Sequence, residues 1–435
     1  MSGHRFPHYQ QMSGWNAMLA PRRANASLTS DIDVDIAIIG AGYTGISAAK
    51  RWRELAADDE IAIIDSSEVG EGSPGRNSGF LLEIALANDA NPEQMQRMAK
   101  CNQLISATME RIVSEVRSSG VDCGLERSGT YRAAAGNAGR KSLRRYRSFL
   151  AAADLPFEEL DRSDLRRRLG TDYYQEGLYS PHCYLAQPAA LIRALVQQMP
   201  SDIQLYENTP AMAIRRSAND WIIETPEAVI RAPKVILANN AFCKDLGIGK
   251  SQLVNIYTYA GISKPLGKSI LDSLGSEKSW GLLPAHRLGS TLRRTRDGRL
   301  LIRSQYDYEQ ESQPEIIARE LGKNLLSRFP QLDEPEFEHV WGGAVGFTFN
   351  GGPLWGEVKR PDGKRGLYVS AGCNGGGVVK GTLFGRLLAE LANGREVADV
   401  RSLFGEASWM PPEPLRKIGF HLVSALERVR GRAEI

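Results

Sequence analysis

The chain has 435 residues, which is more than one ordinary hydrophobic core accommodates and favours two domains. Its hydrophobic content of 42% is that of a globular protein, and its net charge of +3 is too small to indicate a nucleic acid as partner. The five cysteines lie far apart without a Cys-x-x-Cys pair, so the sequence predicts neither a metal site nor a disulfide framework.

The N-terminal stretch lacks the basic start and apolar run of a secretory signal, and we therefore expect a cytoplasmic protein. No run of about 18 apolar residues occurs, so we expect no transmembrane segment. Residues 1–30 are polar and irregular, and we expect them to form an arm on the surface.

A βαβ unit follows this arm. Residues 34–39 (VDIAII) are short, β-branched and nearly all apolar, which is typical of a buried strand. Residues 44–55 predict a helix, and residues 60–64 (EIAII) predict a second buried strand. A βαβ unit of this kind is typical of the first part of a nucleotide-binding fold.

The rest of the chain alternates between helical and strand patterns. Apolar periodicity predicts helices at 92–118, 140–170, 188–199 and 381–392. Short apolar runs predict strands at 203–206, 234–238 and 366–371, a hairpin arm at 221–230 and an antiparallel sheet within 251–310.

Buried strands of the nucleotide-fold type thus come from three separate stretches of chain. The economical topology is an α/β fold with one discontinuous Rossmann-like domain formed by 31–100, 185–245 and 346–400. Residues 101–184 and 246–345 then form an inserted α+β substrate domain.

Residues 401–435 form a C-terminal tail. Within it, apolar side chains recur at helical spacing with basic residues between them, which predicts an amphipathic helix. Such a helix either lies on a membrane surface or docks on its own domain.

Residues 40–45 (GAGYTG) fit the G-x-G-x-x-G pattern between the first strand and its helix. Gly40 permits the tight turn, Gly42 lets the backbone approach a pyrophosphate, and Gly45 lets the helix pack close to the strand. The helix N-terminus attracts the phosphates, and Asp65, 20 residues beyond Gly45, can accept both ribose hydroxyls. These features predict dinucleotide binding without separating FAD from NAD.

Three further segments resemble the D-amino-acid-oxidase-like (DAO) family of FAD oxidoreductases, with the nearest likeness to its gamma-glutamylputrescine oxidoreductase branch. The first is AIIGAGYTGISAA with DSSEVGEGSPGRNSG, the second YLAQPAALIRALV with YENTPAMAI and KVILANNAF, and the third LYVSAGCNGGGVVKGTLFGRLLAELANG. The first and third segments are specific together, and the resemblance runs from about 30 to 400.

The resemblance implies FAD bound in a glutathione-reductase-type domain, with a mixed substrate sheet covering the flavin. The loop at 76–79 should run beside the ring, and the glycines at 375–377 should begin the last helix at its pyrimidine end. The cofactor-binding residues implied in this way are Gly40, Gly42, Tyr43, Thr44, Gly45, Asp65, Ser66, Ser67, Gly75, Arg76, Asn77, Ser78, Gly79, Ala211, Ala238, Asn239, Gly372, Asn374, Gly375, Gly376, Gly377 and Val378.

The chain departs from the family pattern in places. Cys373, Asn374 and Gly376 replace the variable, Ser and His positions of the usual Gly-x-Ser-Gly-His-Gly motif. No cysteine lies at 341–350, where relatives with covalent flavin can carry one, so we expect non-covalent FAD. Cys373 is expected to be a packed small residue.

The family implies oxidation of a small amine or amino acid. A hydride passes from the carbon next to the amine nitrogen to the flavin, the imine hydrolyses, and dioxygen is expected to accept the electrons. The alternative is a dehydrogenase of an amine or hydroxy acid that uses another acceptor. The candidate catalytic residues are Arg293, Arg303, Asn374 and Lys264, of which the arginines could pair with a substrate carboxylate. The sequence leaves the oligomeric state open.

Overall fold

The computed structural model describes residues 6–84, 95–217, 219–333, 336–359 and 363–435. Its helices are α1 Gly14–Ala17, α2 Tyr43–Leu55, α3 Met95–Ser119, α4 Asn137–Ala152, α5 Arg162–Leu169, α6 Pro188–Gln197, α7 Lys268–Ser273, α8 Pro314–Arg328, α9 Val379–Ala392, α10 Val400–Phe404 and α11 Leu415–Arg430. No helix among the described residues is long and apolar enough to cross a membrane.

The strands up to the middle of the chain are β1 Ile32–Asp33, β2 Ile36–Ile39, β3 Ile61–Ile64, β4 Phe80–Leu82, β5 Thr130–Ala134, β6 Glu158–Asp161, β7 Glu176–Ser180, β8 Cys183–Leu185, β9 Gln204–Tyr206 and β10 Ala213–Arg216. Those that follow are β11 Trp221–Glu224, β12 Val229–Ala232, β13 Lys234–Leu237, β14 Val254–Ser263, β15 Trp280–Pro284, β16 Thr291–Arg294, β17 Leu300–Tyr308, β18 Phe337–Phe347, β19 Leu354–Glu357 and β20 Leu367–Ala371.

A six-stranded sheet in the order β19-β20-β13-β2-β3-β9 holds the strands of nucleotide-fold type. It is parallel except for the edge strand β19. Its central strands are buried on both faces, because Ile36 and Ile38 pack towards the helices while Ala37 and Ile39 pack towards a second, four-stranded sheet. This explains why these strands read as continuous apolar runs in the sequence.

The second large sheet is mixed and has eight strands, in the order β18-β14-β17-β16-β15-β5-β7-β6. Its pairs are antiparallel except for β15 with β5. The face turned away from the six-stranded sheet packs on α5 and α8 through a buried cluster that includes Tyr259, Leu300 and Leu325. The inserted mixed sheet predicted from the sequence is therefore present.

Three sequence predictions need correction. The predicted helix at 140–170 is interrupted by β6, after which Asp161 caps α5 by accepting a bond from Asp164 N. The predicted domain boundary after residue 100 falls inside α3, whose buried side chains join the cluster around α2 and α9. Residues 92–94 of the predicted helix lie outside the described ranges.

The N-terminal segment is the third correction, since it is not a surface arm. Ser13, Trp15 and Asn16 are all buried, and Trp15 packs edge-on against Trp341 of β18. Farther along, Arg22 and Asn25 N both bond the fully buried carboxylate of Glu207. The segment lies between the two large sheets and contacts both halves of the molecule, a role that its polar, irregular sequence does not reveal.

Candidate active site

The glycine turn joins β2 to α2 as its sequence predicts. Gly40 has a φ of +110°, and a Cβ there would lie 2.9 Å from the carbonyl of Ala238. A Cβ at Gly45 would lie 1.8 Å from the Gly40 oxygen, so only glycine permits this approach of helix and strand. Gly42 is the N-cap residue of α2, so no capping side chain bonds the backbone amides of Tyr43, Thr44 or the rest of the first turn. The first amide groups of α2 are thus free of side-chain caps, as anion binding requires.

Asp65 follows β3 and lies beside this turn. Its carboxylate accepts hydrogen bonds from Ala41 N at 2.8 Å and from Ser67 N at 3.1 Å, and the Ser67 hydroxyl adds a third at 3.3 Å. Burial raises the pKa of Asp65, and the nearby Glu207 adds to that effect. Ser66 lies between Asp65 and Ser67 in the chain. The bond from Ala41 N holds the Asp65 carboxylate beside the glycine turn.

The end of β13 borders the turn on its other side. Ala238 N donates to Ile39 O at 2.8 Å, which fixes this strand end against Gly40. The next residue, Asn239, has a buried side-chain oxygen that accepts no hydrogen bond from the described residues. Ala211 is also buried, two residues beyond Thr209, whose amide bonds Asp65 O. A buried acceptor beside a glycine turn fits a bound polar group.

The loop at 73–79 is held by side chains that the resemblance placed at the flavin. Arg76 is buried, and its guanidinium donates to the carbonyls of Glu71, Gln11 and Gly342 at 2.5–2.9 Å. It also lies 3.6 Å from the ring centroid of Tyr9, and desolvation lowers its pKa. Arg76 therefore ties the loop to the N-terminal segment and to β18.

The rest of this loop is fixed in the same way. Asn77 donates to Pro74 O at 2.7 Å and accepts from Gly79 N at 2.8 Å. The Ser13 hydroxyl bonds Gly75 O at 2.6 Å, and Trp15 Nε1 bonds Asn77 O at 2.8 Å. Sequence reasoning missed Ser13 and Trp15, since no local pattern links residues 62 positions apart.

We expect the Trp15→Ala variant to lower the free energy of unfolding by about 3–5 kcal/mol, because it opens a cavity against Trp341 and removes the bond to Asn77 O. Met12 is 61% exposed nearby, so Met12→Ala should leave stability within about 0.5 kcal/mol. Denaturant titrations of both variants measure the difference. Equal midpoints would show that the segment does not secure the loop.

The second glycine cluster joins β20 to α9. Asn374 has a φ of +50°, accepts a bond from Thr348 N at 3.0 Å, and donates to Gly372 O and Gly351 O. Its side chain therefore fixes the turn and is a positioning group. Gly375 has a φ of +84° with open space around it, Gly376 N closes the turn on Cys373 O, and Gly377 leads to the uncapped first turn at Val378.

The two glycine clusters lead into helices that pack together. Helices α2 and α9 pack along each other, and a Cβ at Gly385 would lie 2.1 Å from Thr44 O. One turn earlier, a Cβ at Gly381 would lie 3.0 Å from the Thr44 hydroxyl oxygen. The Ser47 hydroxyl donates to Thr382 O at 2.7 Å. Two helices whose N-termini carry no side-chain cap thus begin near each other, although their sequences are more than 300 residues apart.

Arg293 lies on the face of the mixed sheet that is turned towards these loops. It is buried, donates to Ser78 O at 3.2 Å and to Ala186 O at 2.6 Å, and lies 5.2 Å from the ring centroid of Trp15. Desolvation lowers its pKa to about 10. Since its guanidinium holds the loop at Ser78 and Gly79, Arg293 acts as a support for that loop in this structure.

Arg303 pairs with Thr291 on one side and Ala260 on the other, so its side chain shares the sheet face of Arg293. It is half-buried, and it donates to the Tyr306 hydroxyl at 3.0 Å. A bulge at Gln305 keeps Tyr306 and Tyr308 on this same face. Arg303, Tyr306 and Tyr308 therefore form a half-buried polar and aromatic group, which we name the Arg303 patch.

Lys264 is not brought to the site. It is exposed, pairs with Glu336 at 3.3 Å, and follows the last residue of β14. The glycine loop at Asn374 contacts Gly346 at the other end of the neighbouring strand β18, roughly 30 Å away along the strands. The structure therefore places Lys264 away from the two glycine clusters.

The geometry fits an extended dinucleotide. The glycine turn and Asp65 suit its diphosphate and ribose, the unpaired Asn239 oxygen lies beside them, and the second glycine cluster adjoins along α2 and α9. The arrangement defines a dinucleotide-binding protein with a mixed sheet set over the far end of the site.

Comparisons with known proteins assign the family. A model of the FAD dependent oxidoreductase (DAO) family matches residues 35–391, and the chain belongs to this family. It is 25% identical to the probable oxidoreductase OrdL of Rhizobium meliloti over 400 residues, 88% of each chain. It is also 25% identical to gamma-glutamylputrescine oxidoreductase of Escherichia coli over 387 residues, 85% of each chain.

A solved structure agrees with this assignment. The crystal structure of glycine oxidase from Geobacillus kaustophilus matches with a TM-score of 0.72 and 21% identity, over 86% of this chain and 98% of that one. This likeness confirms the predicted fold class. The predicted family and FAD as cofactor are confirmed as well, and the protein is an FAD-dependent oxidoreductase.

Proposed function

We propose that this enzyme oxidises a small amine or amino acid at the carbon next to its nitrogen. Bound FAD would supply the hydride acceptor, and water would then convert the imine product to a carbonyl compound and ammonia or an amine. Relatives named gamma-glutamylputrescine oxidoreductase and glycine oxidase support the substrate class. The observation that carries the proposal is the position of the Arg303 patch, on the sheet face turned towards the loop at Ser78 and Gly79.

The Arg303 patch suits such a substrate. The guanidinium can pair with a carboxylate through two parallel hydrogen bonds, and Tyr306 fixes its orientation. The same positive charge disfavours a neighbouring ammonium, and only the free amine has the lone pair that drives hydride departure. At neutral pH this matters, since an amine with a pKa of about 10.4 is almost fully protonated in water.

The cofactor residues keep the roles proposed from the sequence, with two changes. We propose that Gly40, Gly42, Gly45 and Asp65 would bind the diphosphate and ribose, and that the backbone at 375–378 would bind at the ring. Arg76 and Asn374 instead position the loops that carry those backbone groups. We propose that FAD is held without a covalent bond, since residues 341–350 contain no cysteine and the half-buried Cys373 accepts a bond from Asn240 at 3.3 Å.

Dioxygen remains our proposed electron acceptor, with hydrogen peroxide as its product. The position of Lys264 favours the second candidate, a dehydrogenase with another acceptor, because that lysine is exposed on the surface and lies roughly 30 Å along the strands from the glycine loop at Asn374.

An anaerobic screen tests both proposals. The purified yellow protein is mixed with amines, amino acids and hydroxy acids, and bleaching of the flavin band reports reduction. We expect bleaching by an amine or amino acid and none by its hydroxy analogue. Admitting air should restore the colour with peroxide formed. Bleaching by hydroxy acids alone would overturn the substrate class, and recovery only with an artificial acceptor would overturn the oxidase.

A further inference from the structure

The C-terminal helix α11 is attached to the molecule by its polar residues. Near its start, Arg416 donates to Leu253 O at 3.1 Å and to Lys250 O at 2.9 Å. Near its end, Glu427 pairs with His286 at 3.2 Å. Between them Phe420 packs on Tyr308, with 5.3 Å between ring centroids. These three side chains recur along one side of the helix, which is therefore its inner side.

The segment after the helix fixes this orientation. Glu434 is buried, and its carboxylate accepts bonds from Ala135 N at 3.1 Å and Gly136 N at 2.7 Å, at the N-terminus of α4. Arg328 bonds the Glu434 carbonyl at 2.9 Å. Since both ends are anchored, α11 cannot roll to bury a different side without breaking these contacts.

The outer side of α11 is apolar. Its large apolar residues repeat at steps of three and four and are all between 51% and 79% exposed. They are Leu415, Ile418, Leu422, Leu426 and Val429, which together we name the outer stripe. None of the helix residues is buried. An amphipathic helix that turns its apolar side to solvent is the reverse of the usual arrangement and marks an interaction surface.

The charges beside the outer stripe are basic. Lys417, Arg428 and Arg430 are exposed on the helix, and Arg432 follows it. The helix has one acid, Glu427, and that carboxylate is turned inwards to His286. Two large aromatic side chains near the helix are also exposed: Trp409, five residues before Pro414, at 67%, and Phe349 at 79%. Phe349 lies close to Trp409 because its neighbour Asn350 accepts a hydrogen bond from Ser408 N. This local cluster of basic residues is not evident from the net charge of the whole chain, which is only +3.

We propose that the outer stripe of α11 docks on an anionic lipid surface, with its apolar residues in the headgroup boundary and its basic residues against the lipid phosphates. Exposed leucine and valine flanked by lysine and arginine, with aromatic residues close by, is the composition of interfacial helices. A second copy of the chain fits less well. A twofold pairing of antiparallel helices would place Lys417 of one copy beside Arg428 and Arg430 of the other, and Glu413, the carboxylate nearest to Lys417, already accepts bonds from the Tyr308 hydroxyl and Lys417 N.

Flotation of the full-length holoprotein with vesicles tests the proposal. We expect binding to phosphatidylcholine mixed with phosphatidylglycerol, weaker binding to phosphatidylcholine alone, and release by high salt. The double variant Leu422→Glu, Leu426→Glu should lower the bound fraction about ten-fold or more while it keeps its flavin spectrum. Ile316→Glu, at an exposed apolar position of α8, is the matched control and should bind as the wild type does.

The basic residues are tested separately. Replacing Lys417, Arg428 and Arg430 by glutamine should reduce binding to the mixed vesicles and remove most of its salt dependence. Wild-type protein that fails to bind the mixed vesicles would overturn the proposal, and so would a glutamate variant that binds as well as wild type. If light scattering shows a wild-type dimer that the glutamate variant converts to a monomer, without vesicle binding, a second copy occupies the stripe instead.

Discussion

The Gly45→Ala variant should lose its bound FAD, because the new methyl group would lie 1.8 Å from the carbonyl oxygen of Gly40. The first turn of α2 must then move away from β2, and its amide groups move with it. Overpacking of this kind costs about 1–3 kcal/mol, and each 1.4 kcal/mol is tenfold in affinity, so we expect FAD to bind about 10–100-fold more weakly. The ratio of flavin to protein after gel filtration, followed by titration of the apoprotein with FAD, measures the change.

Two further variants separate a local effect from general misfolding. Gly267 lies at the start of α7 with open space around it, so Gly267→Ala is the matched control and should retain FAD. Gly42→Ala places its methyl group 3.0 Å from the Pro74 ring, outside the helix–strand contact, and should fold normally while weakening FAD binding. Stoichiometric flavin in both Gly42→Ala and Gly45→Ala would show that the turn does not hold the diphosphate.

The parts of this site that follow local rules could be predicted from the sequence. The glycine turn needs a strand before it and a helix after it, and the sequence patterns of the strand, the turn and the helix all lie within residues 34–55. The strands β2, β3, β13 and β20 are apolar on both faces, and this pattern predicts that they are buried between two layers. The second glycine cluster came from family resemblance, and its contact with α2 depends on Gly381 and Gly385 packing against Thr44.

Side-chain roles that depend on distant partners could not be predicted. Arg76 and Arg293 were predicted to be site residues from the family resemblance, but each guanidinium donates hydrogen bonds to backbone carbonyls of other segments. Trp15 lies in a stretch without periodicity, and its burial depends on Trp341 more than 300 residues away. The apolar spacing of α11 correctly predicts a helix, but Arg416 and Glu427 decide which side faces the protein.

This distinction between supporting and reacting arginines leads to the second prediction. Arg303 is the candidate whose guanidinium bonds a side chain, Tyr306, and no backbone carbonyl in the described structure. In Arg303→Met the substrate carboxylate loses a charged partner, a loss of about 1.5–3 kcal/mol. We therefore expect kcat/KM to fall about 10–100-fold for amino-acid substrates, and to change little for amines without a carboxylate. FAD content should stay the same, since Arg303 contacts neither glycine cluster.

The pH profile adds a readout that a loss of packing would not change. A cation beside the bound amine lowers the pKa of that amine, so removing the charge raises it. The rising limb of kcat against pH, which reports the enzyme–substrate complex, should therefore move to higher pH in Arg303→Met. Arg296→Met, at an exposed arginine paired with Glu126 on the surface, should show the wild-type profile. A fall in kcat/KM that is equal for both substrate classes, with an unmoved profile, would assign Arg303 to the structure of the sheet rather than to the substrate.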